Sequence, residues 1–173
     1  MKFEKLVTII QGATEEVFSM MLGLAVEKGE AYQEENADQS FDGVVALVGL
    51  AGSWVGAGRI SCSAAFACKI SGALLASEYD SVNEDVLDAI AEVTNMIVGN
   101  IKTLLEEDYG AMGLSIPTVI FGRNYRARSG RPGRWTVVPI ISGGERMEIK
   151  LCLLPGSNPS AGVLRPEAVE EAV

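Results

Sequence analysis

The chain has 173 residues, 48% of them hydrophobic and 21% charged, which is enough for one domain with a sizeable core and is a globular rather than disordered composition. Its formal net charge of −9 excludes a general nucleic-acid or anionic-membrane binder, because both depend on basic surface. No histidine is present, so Ser-His-Asp and Cys-His catalysis and most transition-metal sites are excluded together.

The N-terminal MKFEKLVTII breaks its charges and apolar residues into pieces too short for the apolar core of a signal peptide. The longest uncharged run, Gly43 to Gly58, contains five glycines and falls short of a membrane span. The expected location is therefore cytoplasmic. A helical pattern from Thr14 to about Lys28 carries Val17, Met20, Met21 and Leu24 at helical spacing. Gly29 then begins a polar loop that continues to Asp42. Two strand-like runs rich in Val and Leu follow, Gly43–Ala51 and Arg59–Ala64, joined through glycines. The string GAGRIS around Gly56 and Gly58 lacks the third glycine and the acidic partner of a dinucleotide loop, so a tight turn is expected there. Ala65–Ser77 reads as a short Ala-rich helix. Cys62, Cys68 and Cys152 are odd in number and lack finger-like spacing, which makes them reduced core thiols.

Ser81–Tyr109 reads as one long amphipathic helix. At roughly 100° of rotation per residue, Val86, Ile90, Val93, Ile97, Ile101 and Leu104 share one apolar stripe. Ser81 and Glu84 have the spacing of a capping box. Three strand-like runs complete the pattern: Ser115–Gly122, Trp135–Ser142 and Glu145–Leu154, the last two joined by the hairpin signal Gly143-Gly144. Trp135, Val137, Pro139 and Ile141 share one face of their run, and Met147, Ile149 and Leu151 one face of theirs. This order predicts an α+β domain over residues 1–154, an antiparallel sheet covered on one face by helices that include the long central one. Residues 155–173 read as a loose tail. An internal echo adds a pseudo-two-fold repeat. Offset by 76 residues, Glu16–Gly23 matches Glu92–Gly99 at four of eight positions, with Ser19 at the place of Asn95 and Gly12 at that of Asp88. One working face, on the second helix, is the expectation.

On the polar side of the long helix, Asp88, Glu92 and Asn95 stack at i, i+4 and i+7, with Gly99 continuing the line. Alone, such residues are ordinary solvated surface. The rigid pattern Asp88-x3-Glu92-x2-Asn95, followed by twenty-one residues and Pro117, resembles the signature of the CheC/CheX/FliY chemotaxis phosphatases. The string AEVTNMIVGNI, Ala91–Ile101, also looks like the helix of that family. A single motif and the chain length make it most similar to the CheX group. An amide does not titrate, but its carbonyl and NH₂ can hold one water in a fixed orientation. Glu92, a turn away, is long enough to reach a cation.

The resemblance implies that this face completes a site on a CheY-type response regulator. Asn95 would align water on the regulator's aspartyl-phosphate, Glu92 would pair with the regulator's lysine, and Pro117 would shape the start of the strand beneath. Mg²⁺ is expected in the regulator, with no cofactor held by this chain, and a homodimer is expected. Asp88 belongs to the pattern with capping and partner contact both open. The loop Arg123–Arg134 holds five of the fourteen basic residues. It reads either as a solvated hairpin tip or as a basic arm steering an acidic partner, with Arg126 and Arg128 as the partner-binding candidates. Two other readings stand beside this one: a non-catalytic adaptor for response-regulator or flagellar-switch-like partners, and a divalent-cation site at Asp88 and Glu92, for which two exposed carboxylates make a poor cage.

Overall fold

Leu6, Ile10, Ala13 and Val17 recur at helical spacing and are all buried, and they make one face of the first helix, α1 (Phe3–Val17). The computed structural model describes residues 2–35, 39–127 and 133–156, with the backbone alone at 39, 40 and 125–127. After α1 a single wider turn, Phe18–Leu22, carries the helix to Gly23, whose φ of +64° closes it. A left-handed residue there costs glycine nothing and lets Leu24 N–H donate back to the Phe18 carbonyl at 3.0 Å. The helix thus begins and ends earlier than Thr14–Lys28, because its buried stripe starts at Leu6 and Gly23 stops it.

The expected loop from Glu30 to Asp42 instead contains strand. Strands β1 (Glu27–Lys28) and β2 (Tyr32–Glu35) both pair with β7 (Arg134–Ser142). A long hairpin follows, β3 (Gln39–Gly52) and β4 (Trp54–Cys62), then α2 (Ala64–Leu75) and α3 (Glu84–Tyr109). Strands β5 (Met112–Leu114) and β6 (Thr118–Ala127) pair with β3, and β7 turns into β8 (Glu145–Pro155). Gly143 and Gly144 both have positive φ, as a tight two-residue hairpin turn requires. The sheet is antiparallel throughout, ordered β1-β7-β8-β4-β3-β5, with β2 beside β7 and β6 beside β3. The expected tail lies, from residue 157, outside the described residues.

The two-fold repeat is visible in this order. Each half supplies a helix, two outer strands and a hairpin, and the outer strands of each half lie against the hairpin of the other. The hairpins meet along β4 and β8. At the 76-residue offset of the sequence echo, buried Ile10, Ala13, Thr14 and Val17 of α1 fall on buried Val86, Ala89, Ile90 and Val93 of α3.

The three helices cover one face. Their side of the sheet presents Val44, Ala46, Val48, Ile60, Val138, Ile140, Met147, Ile149 and Leu151 to the core. In β7 the residues opposite Met147 and Ile149 are Ile140 and Val138, so Trp135, Val137, Pro139 and Ile141 point to the other side of the sheet. Gly56 and Gly58 lie inside β4, not in a turn. A side chain at Gly56 would overlap the Cys152 carbonyl, and one at Gly58 would come within 2.9 Å of Val98. Both glycines serve close approach rather than chain reversal.

The far side of the sheet is held by charge. Lys150 is fully buried there, 2.8 Å from Glu34 and 3.2 Å from Glu148. It faces Arg59 across the β4–β8 seam, and the Arg59 guanidinium lies over the rings of Phe41 and Trp135 at 4.6 and 5.6 Å. Burial by itself pushes the Glu148 carboxyl up, but Arg146 at 2.8 Å and Lys150 outweigh it and hold it below its usual 4.5. A carboxyl depressed in the folded state adds stability above its unfolded value, and that stability is lost as pH falls through the folded value. Thermal unfolding scanned from pH 7 downward is expected to show a falling midpoint below about pH 4.5, with a shallower fall in a Glu148→Gln variant.

Candidate functional site

Helix α3 carries the candidate site, and its local chemistry supports its unbroken course over twenty-six residues. The cap is Asn83, whose side chain accepts from Val86 N–H at 3.0 Å; Ser81 lies outside the helix. Glu84 and Asp85 follow in the first turn, where negative charge meets the positive end of the helix dipole. Val86, Ile90, Val93, Ile97 and Ile101 are buried as expected, and Leu105 completes the stripe while Leu104 stays 43% exposed. By that point the 3.6-residue turn has carried position 104 off the apolar face.

Neighbouring elements fix the helix from three directions. Val98 sits in the space that Gly58 leaves on β4. The Ser71 hydroxyl of α2 donates to the Val86 carbonyl at 3.3 Å. On the α1 side, Lys5 pairs with Asp108, and Asn100 donates to Glu16 at 3.4 Å. Tyr109, at the last turn, packs edge-on against Trp54 with ring centres 5.3 Å apart.

Opposite the buried stripe stand Asp88 and Glu92, both exposed, and Asn95, half-buried. Among the described residues no hydrogen bond or ion pair within the chain engages any of the three side chains. A carboxylate and an amide are thus presented a turn apart, outward, with their bonding capacity free for another molecule. Gly99 continues the line one turn on and lets Leu114 approach, its Cδ1 3.8 Å from where a side chain would begin. Ser19, the echo position on α1, is exposed and spends its hydroxyl on the Glu16 carbonyl at 3.2 Å. No amide stands there.

The twenty-one-residue interval between Asn95 and Pro117 has a geometric reason. From Asn95 the helix descends to Tyr109, about 21 Å at 1.5 Å per residue. The chain turns at Gly110, where φ is +80°, and climbs back beside the same helix. Met112 N–H donates to Glu106 at 2.7 Å, and Leu114 lies beside Gly99. Extended chain rises about 3.3 Å per residue, so the segment 115–117 arrives again at the level of Asn95. Pro117 directly precedes β6, where its lack of an N–H leaves no ladder bond unmade.

Of the two arginine candidates, only the backbone of Arg126 falls within the described residues. The backbone of Arg126 pairs with Ser40 near the far end of β6, its side chain is not described, and Arg128 lies outside the described residues. Neither is placed against the polar stripe. Among the described residues no group of three or more His, Cys, Asp or Glu side chains gathers in the manner of a cation cage. No helix is long and apolar enough to cross a membrane.

The chain is thus an α+β domain in which a long amphipathic helix lies on an antiparallel sheet built from two strand-exchanged repeats, with Glu92 exposed and Asn95 half-buried on the outer face of that helix. The profile of the family described as "Chemotaxis phosphatase CheX" matches residues 44–140, and the chain belongs to that family. It is 26% identical over 126 residues to the CheY-P phosphatase CheX of Thermotoga maritima, covering 72% of this chain and 81% of that one. A crystal structure of chemotaxis protein CheX from Desulfovibrio desulfuricans superposes with a TM-score of 0.78 at 25% identity, over 87% of this chain and 99% of that chain. CheX in the CheX-CheY-BeF3-Mg+2 complex from Borrelia burgdorferi superposes with a TM-score of 0.73 at 26% identity, over 86% and 97%.

The cap assignment is open to measurement. Asn83→Ala is expected to lower unfolding free energy by about 1 kcal/mol in chemical denaturation, while Ser81→Ala leaves it unchanged.

Proposed function

We propose that this protein hydrolyses the aspartyl-phosphate of a CheY-type response regulator by inserting the Glu92–Asn95 face of α3 into the regulator's phosphorylation pocket. The observation that carries the reading is the pair itself: two unengaged polar side chains, one turn apart, on a helix fixed from three directions. The Borrelia burgdorferi relative bound to CheY with BeF3 and Mg+2 supports the choice of partner. The Thermotoga maritima relative supports the reaction.

In this reading the Asn95 carboxamide accepts from and donates to one water and aims it at phosphorus. The water's oxygen forms the new bond, the bond from phosphorus to the acyl oxygen breaks, and inorganic phosphate and a free carboxylate leave. Mg²⁺, held by the regulator, supplies charge neutralisation on the phosphoryl oxygens. Glu92 makes a charge-assisted bond to the regulator's lysine and sets the register of the two proteins. Little covalent work falls to the protein in phosphoryl transfer, so positioning and exclusion of bulk water account for the acceleration. Such a task needs no titrating group, and the chain's lack of histidine is no obstacle. Asp88, a turn before Glu92, extends the contact face. Residues 1–154 act as the phosphatase unit, in the cytoplasm and as a homodimer joined along an open strand edge.

Phosphate release from a phosphorylated regulator tests the assignment. Asn95→Ala, folded by circular dichroism, is expected to lose activity by about a hundredfold or more, and Glu92→Ala to weaken regulator binding. Regulator binding by the native chain with no faster phosphate loss would instead indicate an adaptor.

A further inference from the structure

The polar stripe has an apolar neighbour. Ile116 is 88% exposed, more than any other large apolar side chain among the described residues. A singly exposed isoleucine is ordinary on a protein surface; its position and its rigidity set this one apart. Because the return segment reaches Leu114 at the level of Gly99, two further residues of extended chain bring Ile116 level with Asn95. That reckoning sets it at the rim of the face that carries Glu92 and Asn95.

The backbone beneath Ile116 is clamped on both sides. Ser115 N–H donates to the Gly49 carbonyl at 2.9 Å, and Gly49 N–H donates to the Ser115 hydroxyl at 2.8 Å. The same hydroxyl donates to the Ile116 carbonyl at 3.0 Å. Pro117 then restricts Ile116 to extended backbone, and Thr118 enters the ladder opposite Leu47. A β-branched side chain is stiff about χ1 as well. Very little freedom is left to lose when Ile116 is buried by a partner, which is the property of a preorganised anchor.

We infer that Ile116 is an affinity anchor of the regulator-docking face, seated in an apolar depression beside the regulator's phosphorylation pocket and separate in effect from Glu92 and Asn95. The inference rests on the docking proposed above. The division of labour follows from chemistry. Asn95 acts only on the water in the transition state, whereas an isoleucine at the rim contacts the regulator equally before and during the reaction. Uniform binding of that kind lowers KM without changing kcat.

The test compares kcat and KM for phosphate release, and Kd for a CheY-type regulator held active by beryllofluoride and Mg²⁺, in the full chain and its variants. Ile116→Ala is expected to raise KM and Kd by about tenfold with kcat unchanged, and Ile116→Asp by more. Leu154→Ala removes an exposed apolar side chain on the far side of the sheet and is expected to change neither. Unchanged Kd in both Ile116 variants overturns the inference, as does a fall in kcat at constant Kd, or an equal loss of affinity in Leu154→Ala. The Asn95→Ala variant separates the two ideas. If it abolishes turnover while Ile116→Ala leaves Kd intact, the site stands and the anchor falls. If Asn95→Ala keeps full turnover, the site reading falls, and the Kd of the Ile116 variants still decides the anchor.

Discussion

The close seating of α3 on the sheet is the constraint from which the rest of the molecule follows. Val98 drops into the space above Gly58, and the buried stripe from Val86 to Leu105 follows it down. A helix seated there has one face wholly committed and the opposite face lifted clear of its neighbours. In the reading proposed above catalysis is a matter of positioning, where a misplacement of about an ångström is costly, so the height and rotation of this one helix matter together with the residues it exposes. The clamps from α1, α2 and β5 set rotation, and the glycine in β4 sets height.

Much of this was legible in the residues. The apolar periodicity of α3, the Gly-Gly hairpin and the order of the large elements all read correctly, because each is a local pattern tied to local geometry. What escaped was set at a distance. Gly56 and Gly58 look like turn formers, and their role appears only once Cys152 and Val98 are brought against them. Strands β1 and β2 carry charged and polar residues and have no alternation to betray them; their pairing with β7 makes them strands. The cap falls on Asn83 rather than Ser81, two residues of similar capping chemistry set close together in the chain.

The site divides the same way. Asp88, Glu92, Asn95 and Pro117 are candidates marked by their spacing, and the structure accounts for the interval as the length of a descent along the helix and a climb back beside it. That explanation also brings in Ile116, which no pattern of residue types had marked. An isoleucine before a proline reads as the edge of a strand. Its exposure depends on Ser115 being tied to Gly49 sixty-six residues earlier, a contact invisible along the chain.

The exchange of outer strands between the two halves carries a consequence for how the molecule comes into being. The bed on which α3 rests is drawn from both halves: β3 needs β6, and β4 needs β8, the last strand of the described fold. During synthesis the first half emerges with both edges of its hairpin waiting for partners not yet made. Contacts so far apart in sequence close slowly, and the working helix cannot reach its final bed until nearly the whole domain has left the ribosome. The protein thus acquires its ability to act on another molecule late in its own assembly.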